Sequence, residues 1–180
     1  MRRLTGQLLC FEDPGREAHS SQIQGKDDWE STVEAGLRKT YRQGRELLHQ
    51  VEAVPELPDE EWHELRKRAK DLGYQLALFK KVKWVKPLLT KLDKAGSALG
   101  DARDLSLLRD YLAKVRDKSE LASTEQQSYR RLLTHVESQR ERLHRKGLYV
   151  LQGLYRSGAK TFTARMAKRW RRWQAASAPR

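Results

Sequence analysis

His63-Glu64-Leu65-Arg66-Lys67-Arg68-Ala69-Lys70-Asp71-Leu72-Gly73-Tyr74-Gln75-Leu76 is the stretch on which the reading of this chain turns. At about 100° per residue on an α-helix, His63, Arg66, Lys67, Lys70, Tyr74 and the later Lys81 fall within one arc of roughly 100°. Trp62, Leu65, Ala69, Leu72, Leu76 and Phe79 occupy a second arc, and Glu60, Glu64 and Asp71 a third. A helix so divided has a face for a core, a face for solvent and a basic face for an anion.

The same layout occurs upstream. Arg38, Tyr41, Arg42, Arg45 and His49 have the offsets of His63, Arg66, Lys67, Lys70 and Tyr74. Two helices with matching stripes, packed through their apolar faces, are expected to flank one groove. Cations crowded there repel one another unless an anion lies between them. Arg grips phosphate oxygens in a fork, Lys adds mobile charge, and Tyr and His add neutral donors. The bland alternative is a solvated face paired with its own acids, against which stands the stripe's near-freedom from carboxylates.

Outward from these helices, periodicity predicts helices over about 28–54, 60–82, 85–99, 103–118, 124–154 and 160–174. Pro55 and Pro58 separate the first two, Asp59 is expected as an N-cap, Gly100 as the stop of the third helix, and Gly158 as the break before the last. No segment alternates with period two, so the fold class is all-α, an antiparallel four-helix-type bundle with a long C-terminal helical extension. Residues 1–25, with Pro14-Gly15 and no sustained period, read as a flexible arm ahead of a single domain over 26–180.

Composition narrows the function. Of 180 residues, 37 are Lys or Arg and 24 Asp or Glu, a net charge of +13. Residues 121–180 hold 14 Lys/Arg against three Glu, so the positive field is concentrated in the last third. That field suits nucleic acid, anionic lipid or free polyphosphate. Cys10 is the only cysteine, which excludes an intrachain disulfide and a Cys-rich zinc site and fits a reducing cytoplasm. Gly6, Gln7, Glu12 and Asp13 interrupt the early apolar run, so no secretion signal and no membrane span are expected.

Rival chemistries do worse. His63-Glu64 opens like a zinc-protease helix, but the second histidine would stand where Lys67 is. Gly153 to Thr161 approaches a phosphate loop, yet Ala159 parts Gly158 from Lys160 and no strand precedes it. Asp101 and Asp104 suit a helix junction better than acid and base. Trp170 and Trp173 among Lys168, Arg169, Arg171 and Arg172 would stack on bases or lie on a membrane, but such residues more often anchor a terminal helix. No catalytic residue, metal or cofactor is expected.

The quoted stretch resembles the signature of the CHAD family, the conserved-histidine α-helical domains. Gly36-Leu37-Arg38-Lys39-Thr40-Tyr41-Arg42-Gln43-Gly44-Arg45 is similar to its basic helix, and Leu99-Gly100-Asp101-Ala102-Arg103-Asp104-Leu105 to its turn into a fourth helix. Leu154-Tyr155, Lys160-Thr161-Phe162 and Trp170 look like its closing segment, so the resemblance runs over about 28–174. It implies non-catalytic binding of inorganic polyphosphate, a CYTH-type triphosphatase partner, and association with polyphosphate granules in the cytoplasm. The contacts it implies are Arg38, Tyr41, Arg42, Arg45, His63, Arg66, Lys67, Lys70 and Tyr74, with Arg103 added beside an orienting Asp104. Lys81 extends the stripe. Gly73 stands where the family commonly has a basic residue. The chain also matches one four-helix half of a two-half domain, and a homodimer would rebuild the whole. The alternative function is a nucleic-acid-binding helical protein that uses the basic C-terminal helix.

Overall fold

The computed structural model describes residues 26–54, 57–118 and 123–177; the expected arm over 1–25 lies outside them. Five helices follow in order: α1 (Lys26–Ala53), α2 (Asp59–Ala77), α3 (Val85–Lys118), α4 (Ser123–Leu154) and α5 (Ala159–Ser177). Each of the first three packs on its successor, and α5 returns to α1. No strand occurs among the described residues, and no helix is long and apolar enough to cross a membrane.

The apolar arc of α2 behaves as its spacing requires: Leu65, Ala69, Leu72 and Leu76 are closed to solvent. They meet Leu37, Leu48 and Val51 of α1, Leu92, Ala95 and Leu99 of α3, and Leu151 of α4 in one core. Burying each large aliphatic side chain contributes about 1.5–3 kcal/mol before chain entropy is set against it.

Three boundaries differ from those expected. Gly100 does not stop a helix, because α3 runs unbroken through it. A Cβ at Gly100 would stand 3.2 Å from Arg66 Nη2, so the glycine lets an α2 side chain lie against α3. Asp59 is the first residue of α2 rather than its cap. Its carboxylate accepts from Arg109 at 2.9 Å and Arg140 at 2.7 Å, joining α2 to α3 and α4. Finally, α2 ends at Ala77. The chain then turns through Phe79→Leu76, Val82→Phe79 and Val85→Val82 backbone bonds of 2.8–2.9 Å, which bury Phe79 and Val82 while reversing direction.

Candidate functional site

Between α2 and α3 lies a groove of about 370 Å³. Arg66, Lys70 and Tyr74 come from α2; Leu92, Asp93, Gly96 and Ser97 from α3. The approach of the two helices is set by small residues. Gly96 and Gly100 lie one turn apart on α3, with Lys70 Cγ 3.9 Å and Arg66 Nη2 3.2 Å from where their Cβ atoms would be. Arg66 donates through Nε to the Gly96 carbonyl at 3.3 Å. That bond fixes the plane of the guanidinium and leaves its other N–H groups for a ligand. The Gly96-Ser97-Ala98-Leu99-Gly100 spacing was visible in the sequence, but its use as the groove's second wall was not.

The charges here are not equivalent. Among the described residues, Arg66 and Lys70 form no ion pair, and Asp93 is the one carboxylate in the groove wall. Lys67, expected as an equal member, is held by Glu64 at 2.6 Å, and Arg68 by Glu64 and Asp71 at 3.8 and 3.3 Å. Exposed pairs of this kind are worth about 0–1 kcal/mol, so Lys67 is engaged but not locked. Tyr74 stands 66% exposed at the mouth.

One turn before Arg66, His63 meets Arg103 of α3 in a small recess with Trp62, Leu99, Ser106 and His144. His63 Nδ1 is enclosed without a partner. Burial lowers the imidazole's pKa first, and the Arg103 and Lys67 cations lower it further, so near neutral pH the ring is uncharged. Arg103 has no ion pair among the described residues. From His63 to Tyr74 the α2 groups span about 16 Å of helix axis.

The α1 stripe divides differently. Tyr41, expected as a contact, is a core residue with no exposed surface. Its hydroxyl donates at the end of α4, 2.9 Å from the Leu154 carbonyl and 3.0 Å from that of Ser157, and its ring stacks 4.1 Å from Phe162. Burial raises its pKa despite the Ser157 hydrogen bond and nearby Arg45 and Arg165. A phenol so enclosed cannot reach a polyanion, and that expectation is corrected. Arg38 is paired with Glu34 and reaches Thr163 of α5 at 3.4 Å, and Arg42 lies 3.8 Å from Glu46. Arg45 is half-buried, with Nε unpartnered.

The two stripes therefore do not line one groove. Helices α1 and α2 meet through Thr40 and Gln75, bonded at 2.8 Å, which turns the α2 stripe toward α3 and the α1 stripe toward α5. Lys81 leaves the stripe as well: beyond the end of α2, its Nζ sits 5.7 Å from the Trp173 ring centroid. The groove gathers Arg66, Lys70 and Tyr74, and the recess one turn before them gathers His63 and Arg103 beside Asp59; Lys67 lines neither.

Gly73 lines this groove, and a Cβ there would meet only Leu92 atoms at 3.9 Å, an ordinary contact. Gly73→Arg should therefore gain up to about 1 kcal/mol of helix stability and add one cation to the site. Polyanion affinity is expected to rise severalfold with a steeper salt dependence. Titrations at three salt concentrations check this, and unchanged affinity would place the ligand elsewhere.

A family model described as CHAD domain matches residues 5–113. That range contains α1, α2 and α3 as far as Ala113, and so both walls of the groove. The resembling segment around Leu154–Trp170 lies beyond it. No curated protein and no solved structure matches the chain. With the match covering more than half of its length and the whole of the groove, this chain belongs to the CHAD domain family.

Proposed function

We propose that this protein is a non-catalytic module that holds inorganic polyphosphate along the α2/α3 groove. The observation that carries the reading is the pair Arg66 and Lys70, unpaired with any described acid and set in a groove whose opposite wall is opened by Gly96 and Gly100. Arg103 and neutral His63 continue the track toward the start of α2. A polyphosphate needs charge and hydrogen-bond donors along a path rather than a closed pocket, and this path supplies both. Family membership supports the ligand class. A cytoplasmic setting with a CYTH-type triphosphatase partner belongs to the same proposal.

Nucleic-acid binding through α5 is less well supported, because its aromatic residues are spent on packing. Trp170 stacks 4.9 Å from Trp173 and sits edge-on to Phe79 at 5.1 Å, while Arg169 covers Trp84 at 5.0 Å.

The test is binding of long-chain polyphosphate against double-stranded DNA at equal phosphate concentration and near-physiological salt. It compares the native chain with an Arg66→Ala, Lys67→Ala, Lys70→Ala variant. Polyphosphate should bind in preference, and the variant should lose at least about tenfold in affinity and about 2 in salt slope while remaining helical. Equal DNA binding, with the variant unaffected, would move the site to α5.

A further inference from the structure

Beyond Ser106, α3 carries no buried residue among those whose burial is described, and α4 carries none from 124 to 135. Among the described residues, the far ends of these two helices thus form an arm that extends past the buried core with no third layer on it. On α3 this arm shows an apolar seam: Leu107 is 55% exposed, Leu108 40%, Tyr111 64% and Val115 40%. Together with Asp104 they fall within one arc of about 100°, with Lys114 at its edge. Arg109, on the opposite side of the helix, is tied to Asp59 of α2 at 2.9 Å and lies 3.7 Å from Glu137 of α4. The helix is therefore held in place with its apolar seam facing outward.

From this we infer that the seam Asp104–Val115 of α3 docks antiparallel against the same seam of a second copy of the chain. Charge selects the occupant. Over most of its surface a chain of net charge +13 repels its own copy. Residues 101–118, however, hold five Lys/Arg against four Asp, so this part of α3 is nearly balanced, and the seam itself has Asp104 with Lys114 at its edge. Its acidic end, Asp104, and its basic end, Lys114, are complementary only when two seams run in opposite directions. Leu107 and Leu108 of one copy then meet Tyr111 and Val115 of the other. A twofold axis generates this arrangement, with every contact occurring twice. A polyanion is the wrong partner for a face that is apolar and bordered by aspartate. The inference does not depend on the ligand of the groove.

Sedimentation or light scattering of the full chain, over about a hundredfold range of concentration, reads the outcome directly. A concentration-dependent monomer–dimer equilibrium is expected. Tyr111→Glu and Leu107→Glu, both at exposed positions, should weaken association by at least about tenfold with the helical circular dichroism unchanged. Asp104→Lys and Lys114→Asp should each weaken it, and the two together should restore it. A chain that stays monomeric throughout, including after removal of residues 1–25, overturns the inference. A monomer that dimerises only after that removal shows the seam covered by the chain's own N-terminal segment and overturns it equally. Dimers insensitive to the Glu variants, or not restored by the double swap, place the interface elsewhere.

Discussion

Gly44→Ala is expected to cost the fold about 2 kcal/mol or more, although alanine is the better helix former by about 1 kcal/mol. Gly44 is buried in α1, and a Cβ there would lie 2.2 Å from Tyr155 Oη and 2.7 Å from its Cζ. The Tyr155 ring has no room to retreat: Tyr41 packs edge-on to it at 5.0 Å and is itself stacked on Phe162. The hydroxyl closest to Gly44 is buried without a hydrogen-bond partner. Tyr155→Phe alone should therefore be nearly neutral, because it removes an unpaired polar group. In the Gly44→Ala background it should return part of the loss, while the ring carbon at 2.7 Å keeps the remainder. Gly153→Ala in α4, where nothing lies within 4 Å, is the control and should gain up to about 1 kcal/mol. Urea midpoints of the four variants decide the matter. A Gly44→Ala protein as stable as the parent would mean that α1 and the end of α4 do not approach as described.

The second large effect is on acid stability and comes from His144. Its ring lies parallel to Trp62 with centroids 3.8 Å apart. Burial, and then the Arg140 cation, push its pKa down to about 4, with Asp59 opposing weakly. A histidine whose folded pKa lies below its unfolded value near 6.5 favours folding in its neutral form. That stability is complete above about pH 6.5 and is lost as pH falls toward 4, to a total of about 3 kcal/mol. His63, lowered in the same direction, adds to the trend. Carboxylates titrate over the lower part of the same range, so the informative quantity is a difference between proteins. His144→Phe keeps a ring against Trp62 and should flatten the fall in urea midpoint between pH 7 and 5. Parallel profiles for parent and variant would assign the acid sensitivity to other groups. The result also bears on binding: affinity lost near pH 5 should be accompanied by unfolding.

Much of this was legible in the order of residues. The three arcs of residues 60–81 identified Leu65, Ala69, Leu72 and Leu76 as interior, and all four are. The helical class followed from period and proline placement. The family resemblance followed from local runs such as His63–Leu76 and Gly36–Arg45, which are read without folding the chain. Where the reading failed, a pattern had two physical explanations. Tyr41 shares the angular position of Arg66, but an aromatic ring on the border of a polar arc can turn inward, and the ends of α4 and α5 offered carbonyls and Phe162 to receive it. Gly100 resembled a helix stop, yet a glycine that admits a neighbour's side chain has the same sequence signature as one that ends a helix.

The sequence by itself thus determined the helices, their buried faces, the excess of positive charge and the family, because each depends on interactions between residues a few positions apart or on composition. Only the tertiary structure decided which stripe meets which helix. The Thr40–Gln75 contact and the glycines of α3 direct Arg66 and Lys70 to one flank and Arg38 to the other. It also decided that Tyr41 is enclosed, that Asp59 ties three helices together, and that the outer half of α3 carries an apolar seam exposed among the described residues. Those outcomes depend on helices separated by tens of residues and on how closely their surfaces fit, which no local pattern encodes.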